Sequence, residues 1–340
     1  MIDAVTRNGP KPSVLIAIVN YRTGGLVVDC LVSLASEIRA NPGTRVVVVD
    51  NASGDNSCQR IASAIRQRGW SSWAKLVVSP VNGGFADGNN RAIAADLSSG
   101  GSPDFVWLLN PDTRVRPGAL RILTDFMRDH PRAGIVGTLL EERDGAPWPY
   151  AFRFPSLLGE FERGAHLGPV SRLLRNYAVP LRMGAQPSQV DWVSGASMMI
   201  RAPLFDAIGM MDSCYFLYYE ETDLCLQASR AGWECWYVPD ARVLHIAGQS
   251  TGITGSQAIV RRMPSYWFES RRHYFVKNHG RLYAIAADIL WMAAHVTWRV
   301  RRRLQALADP DPQSLLTDFL RHSALLKGAP AGKRNLVSGQ

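Results

Sequence analysis

Apolar and polar positions fall into two kinds of block along the first third of the chain. "SVLIAIVNY" (Ser13 to Tyr21), "TRVVVVDNAS" (Thr44 to Ser53), Lys75 to Ser79 and "DFVWLLNPDT" (Asp104 to Thr113) are short, apolar runs. Runs of that length predict strands buried on both faces. Between them, Val27 to Arg39 places Val28, Leu31, Leu34 and Ile38 at helical spacing, and Cys58 to Arg68 and Asn89 to Leu97 also read as helices. Strand and helix alternate, which predicts an α/β fold with a mainly parallel central sheet. Ligands of such sheets collect beyond the carboxyl ends of the strands, where "DNAS" and "NPDT" both lie.

The pattern then changes. Residues 145 to 190 are rich in Pro, Gly and Arg without a sustained period, and predict a long loop with one short helix near Val170 to Arg175. "VDWVSGASMMIRAPLFDAIG" restores order as a strand followed by a helix, and "WECWYVPDARVLHI" is strand-like with His245 near its end. From Tyr266 the chain becomes helical and basic. Leu282 to Val300 is a long apolar stretch, about 28 Å as a helix against a bilayer core of about 30 Å. Asp288, His295 and Arg299 interrupt it and "RVRRR" follows, so a helix lying on anionic lipid is expected rather than a span. Trp291, Trp298 and Tyr283 suit that boundary. A core helix packed on the rest of the protein is the alternative.

Charge sharpens this expectation. The net charge is +9, yet residues 1 to 260 carry 24 basic and 24 acidic side chains. Residues 261 to 303 carry ten basic side chains against Glu269 and Asp288. The basicity belongs to the C-terminal segment and points to an anionic membrane surface as partner. No nucleic-acid partner is expected, because the basic residues flank an apolar stretch and no recognition motif accompanies them. Five cysteines without C-x-x-C spacing argue against a disulfide framework or zinc knuckle and for a reducing compartment. "MIDAVTRNGPKPS" lacks a secretion pattern, so a cytoplasmic protein is expected. With 340 residues, one large domain and an appendage are expected.

Several clusters can carry chemistry. Asp50 and Asn51 end a buried strand, where a carboxylate can accept from a base edge or ribose, or simply cap the next helix. "NGGFADGNN" (Asn82 to Asn90) is neither a Walker loop nor a dinucleotide fingerprint. Its Gly83 and Gly84 let backbone amides approach a ligand, and Asn89 and Asn90 open the helix that follows. Asn110 and Asp112 in "NPDT" suit Mg2+ or Mn2+ shared with diphosphate oxygens, or an ordinary Pro-Asp turn. His245 is either a core residue or a ligand. "SGAS" (Ser194 to Ser197) offers a tight approach to substrate or a packing site. "FLYYEETDLC" crowds Glu220, Glu221 and Asp223 at a helix start, where like charges repel; they are either solvated or used with a cation or a proton.

In order, "VNY", "VVVVDNAS", "NGGFADGNN", "LLNPDT", "DWVSGASMMIRAPLFDAIGMMD", "FLYYEETDLC" and "VPDARVLHIAGQS" resemble an inverting, family 2 type glycosyltransferase of the GT-A fold, in its bacterial rhamnosyltransferase-like branch. The resemblance runs over roughly residues 13 to 250. It implies a catalytic domain over 1–255, with a nucleotide-binding half at about 13–115 and an acceptor and base half at about 116–255, then a basic helical extension over 256–340. By resemblance, Asp50 holds base and ribose, Gly84, Asn89 and Asn90 lie near the nucleotide, and Asp112 ends the metal motif with His245 completing it. Glu221 falls at the general base, with Glu in place of the commoner Asp, so Glu220 remains an alternative. Asp87 stands where a small or neutral residue is usual. The implied activity is transfer of a sugar, rhamnose from its dTDP form foremost, from a dTDP- or UDP-linked donor to a glycan or polyprenyl-linked acceptor in cell-surface polysaccharide synthesis. That work implies a peripheral position on the cytoplasmic face of the inner membrane. A catalytically silent nucleotide-sugar-binding or scaffold protein of the same fold is the alternative, since it would keep Asp50 without needing Glu221.

Overall fold

The computed structural model describes residues 11–148, 150–246 and 262–328. The expected domain boundary at 255/256, Arg261 and the last residues of "VPDARVLHIAGQS" lie outside them. The chain runs β1 (Val14–Asn20), α1 (Gly24–Ala40), β2 (Thr44–Asp50), α2 (Ser57–Gln67), β3 (Ala74–Val78), α3 (Gly84–Leu97), β4 (Phe105–Leu109), β5 (Thr113–Val115), α4 (Ala119–Asp129) and β6 (Ala133–Glu141). It continues through β7 (Pro147–Trp148), β8 (Tyr150–Phe152), α5 (Leu157–Ala165), α6 (Gly168–Leu173), β9 (Pro180–Arg182), β10 (Ser188–Val190), β11 (Ser197–Arg201) and α7 (Ala202–Ile208). Then follow α8 (Glu220–Arg230), β12 (Glu234–His245), α9 (Ser265–His279), α10 (Arg281–Leu304) and α11 (Leu315–His322).

Ten strands form one sheet in the order β10-β12-β6-β11-β4-β1-β2-β3, with β5 added to β12 and β7 to β6. Strands β3, β2, β1 and β4 are parallel, as the strand–helix alternation predicts. Strand β11 enters antiparallel between β4 and β6. The period of two in β1 decides what each face meets. Val14, Ile16 and Ile18 join the core under α1, α2 and α4. Leu15 and Ala17 join the opposite core with Ala92 and Ile93 of α3 and Leu224 of α8. Burial on both faces explains why these strands read as unbroken apolar runs.

Three differences from expectation have physical causes. Helix α3 starts at Gly84 rather than Asn89, so the glycine-rich stretch is mostly helix rather than loop. Gly88 is needed inside it, because a Cβ there would stand 2.6 Å from Val19 Cγ1 on β1. Residues 145 to 190 are not one long loop, since they hold α5, α6 and the β8–β9 pair. Helix α5 escapes a periodicity search because its buried face is Gly159, Glu160, Gly164 and Ala165. That face must be slim: a Cβ on Gly164 would lie 2.7 Å from the Trp291 carbonyl oxygen of α10.

The third difference is α10 itself. Its inward face, with Trp291, Ala294, His295 and Trp298, packs on the protein, so the tryptophans do not serve a lipid boundary. Asp288, which interrupts the apolar stretch, is buried and receives Arg271 Nη1 at 2.5 Å. Arg271 also reaches Glu160 Oε2 of α5 at 2.7 Å, tying α9, α5 and α10 together. Asp288 Oδ2 accepts the Ala324 amide at 2.7 Å, which fixes the chain beyond α11. Lys277 pairs with Asp212 and Asp223, and Arg262 with Asp318, so much of the basic segment is neutralised within the protein. Among the described residues, no helix is long and apolar enough to cross a membrane. The outward face of α10 nonetheless exposes Leu282, Ile289, Val296, Val300 and Leu304.

Candidate functional site

The carboxyl ends of β1 and β2 meet in register at Asn20 and Asp50. Asn20 Nδ2 donates to Asp50 Oδ1 at 2.6 Å, and Ser53 donates through Oγ at 2.6 Å and through its backbone N–H to Oδ2 at 3.1 Å. Asp50 is thus a buried, well-satisfied carboxylate that shapes the turn after β2. Asn20 is the partner to which sequence reasoning gave no role, although "VNY" stood among the motifs of the resemblance. Asn51 Nδ2 donates to Asn82 Oδ1 at 3.0 Å and to the Gly84 carbonyl at 2.9 Å, linking this turn to the head of α3.

The glycine stretch has a different use from the one expected. Gly84 has φ +86°, and a Cβ there would sit 1.9 Å from the Phe216 carbonyl oxygen. That oxygen accepts the Phe85 amide at 2.9 Å. The Gly84 amide is itself taken by Asn82 Oδ1 at 3.1 Å. The close approach that Gly84 permits is therefore to the segment leading into α8, not to free amides for a phosphate. Gly83 precedes it as the N-cap. Asn89 donates to the Phe85 carbonyl at 3.0 Å, and Asn90 to the Met211 carbonyl at 2.7 Å. Both asparagines hold backbone rather than facing solvent. Asp87 pairs with Arg91 one turn along, at 2.6 Å, which accounts for its charge.

Asn110, Asp112 and His245 come together although 133 residues separate the last two. The antiparallel β5–β12 ladder does this by setting His245 opposite Thr113. His245 Nε2 stands 3.4 Å from Asp112 Oδ1 and 3.3 Å from Asn110 Nδ2. Asp112 is buried and His245 mostly so. A carboxylate oxygen and an imidazole nitrogen converging at this distance fit a divalent cation that completes its shell with water and substrate oxygens.

Glu220 and Glu221 open α8, after Tyr218 and Tyr219 take left-handed conformations with φ 71° and 70°. The two residues that turn the chain by this means are not glycines, which is a strained arrangement of the kind found at functional sites. Glu220 is buried, at 3% exposure, while Glu221 is half-buried. Neither Oε2 has a hydrogen-bond partner among the described residues. Burial pushes the Glu220 carboxyl well above its ordinary value, and the Glu221 charge beside it adds to the rise. Burial raises Glu221 too, while the amides of Glu221, Gly195 and Thr222 pull it part of the way back. Asp223 differs: Lys277 Nζ and Asn278 Nδ2 each reach it at 2.7 Å.

"SGAS" joins these groups. Gly195 lies beside Phe85 and Glu221, where an added Cβ would stand 3.2 Å from Phe85 Cε1 and 3.7 Å from Glu221 Cβ. The next carbonyl, of Ala196, accepts the Asn110 amide at 3.0 Å. One short segment thus fixes the spacing between the carboxylate of α8 and the Asn110–Asp112–His245 group.

A family model described as glycosyltransferase like family 2 matches residues 10–273. The chain is 31% identical over 239 residues to the N-acetylglucosaminyl-diphospho-decaprenol L-rhamnosyltransferase of Mycobacterium tuberculosis, covering 67% of this chain and 75% of that one. It is 22% identical over 258 residues to the dTDP-rhamnosyl transferase RfbF of Shigella flexneri, covering 74% of this chain and 77% of the relative. Among solved structures, the mannosyltransferase PcManGT from Pyrobaculum calidifontis, in complex with GDP-Man and Mn2+, aligns with a TM-score of 0.55 at 14% identity. That alignment covers 88% of this chain and 76% of the other. The architecture is the GT-A glycosyltransferase fold. With its match spanning most of the sequence, the chain belongs to glycosyltransferase family 2.

Proposed function

We propose that this glycosyltransferase moves rhamnose from a dTDP-linked donor, with inversion, to a glycan carried on a polyprenyl diphosphate in cell-surface polysaccharide synthesis. The names of the relatives support the sugar and the acceptor class. The observation that carries the chemistry is Glu221, a half-buried carboxylate with one unpartnered oxygen, tied through Gly195 and Ala196 to the Asn110–Asp112–His245 group.

Glu221 removes the proton from the acceptor hydroxyl while that oxygen attacks the anomeric carbon in line. The bond from that carbon to the diphosphate oxygen breaks, and the proton stays on Glu221. Asn20 and Ser53 hold Asp50 in place for the nucleoside side of the donor. Asp112 and His245 would hold Mg2+ or Mn2+, whose charge offsets that of the diphosphate; the imidazole favours manganese of the two. The outward face of α10 rests on the anionic membrane that carries the acceptor.

The test incubates the protein with a panel of nucleotide sugars and polyprenyl-linked acceptors and measures release of nucleotide diphosphate. We expect release with dTDP-rhamnose, lost in excess chelator and restored by manganese. No stimulated release with any donor and acceptor would favour the silent binding protein, and full activity in chelator would remove the cation from the scheme.

A further inference from the structure

We propose that His166, His295 and Asp311 form a second metal site, of zinc class, clamping the end of α5 to α10 and to the segment that follows α10. One ligand atom from each residue lies within 4.8 Å of the others. His295 Nε2 and Asp311 Oδ2 are 3.5 Å apart. Two ligands of a tetrahedral ion with arms of about 2.0–2.1 Å stand about 3.4 Å from each other, so this pair already has the spacing of a tetrahedron's edge.

Beyond their mutual contact, the His295 ring and Asp311 Oδ2 make no hydrogen bond among the described residues. His295 is 1% exposed, and neither of its ring nitrogens has a hydrogen-bond partner among the described residues. Asp311 Oδ2 is likewise buried and unpartnered. Buried polar atoms are nearly always satisfied, and leaving three orphans in one place is costly. The groups are held rather than loose. The His295 ring stacks on Trp291 at 4.6 Å with planes 12° apart. His166 meets it edge-on at 6.4 Å and lies 5.2 Å from the Trp298 ring. His166 takes a left-handed conformation at the end of α5, and Arg301 fixes it by donating to its carbonyl oxygen.

The donor set decides the class of ion. Two imidazoles and one carboxylate suit zinc and its neighbours rather than magnesium or calcium, which prefer oxygen alone. His166 is exposed, so water can complete the fourth position. Arg302 pairs with Asp309, two residues before Asp311. The site uses none of the residues of the Asp112–His245 group, and its ion would serve structure.

The experiment uses the full chain carrying Asp112→Asn and Cys214→Ser, so that the Asp112–His245 group and the Asp212–Cys214–His273 cluster are silenced, stripped with chelator and titrated with Zn2+ and with Co2+. We expect one equivalent to bind, a rise in melting temperature, and the intense visible absorption of four-coordinate Co2+. His166→Ala changes an exposed side chain, so the metal-free melting temperature should stay put. Its Zn2+ affinity should fall at least about tenfold, since even losing a residue that only supports a ligand costs about that much. No bound equivalent, or an affinity indifferent to His166→Ala, would overturn the site in favour of a plain His295–Asp311 contact.

Discussion

Glu221 and Glu220 are neighbours in sequence that share a buried, unpartnered Oε2 and differ in how far the residue is covered. Glu221 is partly exposed beside Gly195, whereas Glu220 is buried. Glu221→Gln should lower kcat by about a hundred- to ten-thousand-fold with donor binding intact, as measured by turnover and nucleotide-sugar titration. Because the base works only when deprotonated, kcat/KM should rise with pH through a value above the ordinary 4.5 of a glutamate. Glu220 supplies the contrast. Its raised folded value means the folded state keeps a proton that the unfolded state releases, so stability falls as pH climbs from 4.5 upward through that value. Glu220→Gln should flatten that slope, with a larger gain in melting temperature at pH 8 than at pH 5. Equal behaviour of the two variants in turnover would undo the assignment. The crowding of three acids was legible from sequence, because repulsion makes it unusual. Which acid does what was not, since Asp223 is claimed by Lys277 from 54 residues away.

At the scale of elements, the strands were readable because each is apolar on both faces, and α5 was not because its buried face is glycine, alanine and an ion-paired Glu160. The use of the glycine stretch was also hidden, for its neighbour is the Phe216 carbonyl from a segment 132 residues on. Gly84→Ala should show this. It adds a left-handed penalty of about 1–2 kcal/mol and forces the Phe216 carbonyl away, moving the segment that ends in Glu221. Thermal melting and turnover should both suffer. Gly100→Ala, with φ +78° and open space around it, should bear the backbone penalty alone and keep its kcat. If the two variants lose turnover alike, the Gly84–Phe216 contact does not set the position of the base.

For the whole molecule, the α/β class and the sequence of motifs were legible, while the docking of the basic segment was not. Periodicity found a long apolar helix but could not tell its two faces apart, and ion pairs such as Arg271 with Glu160 and Asp288 are invisible before the chain folds. What stays outward on α10 is a stripe of Leu282, Ile289, Val296, Val300 and Leu304, bordered by Arg281 and Arg303. Laid on anionic lipid, each such arginine adds about 1 kcal/mol to whatever the apolar stripe contributes. The double change Ile289→Glu and Val296→Glu should lower flotation with anionic liposomes at least tenfold without shifting the melting curve, because both positions are exposed. Negligible flotation of the unaltered chain would return the stripe to solvent.

Arg271 has a consequence for the order in which this protein is made. Glu160 and its helix neighbour Arg163 leave the ribosome more than a hundred residues before Arg271 joins them, and Asp288 and the Ala324 amide come later still. The sheet is complete once β12 has emerged, yet Tyr215 and Leu226 still await Tyr274, Phe275, Ala284 and Ala287. A nascent chain interrupted there presents a finished sheet beside a raw apolar patch, which is what chaperones and proteases recognise. Helices α9 and α10 thus cover an apolar patch that the sheet by itself leaves bare.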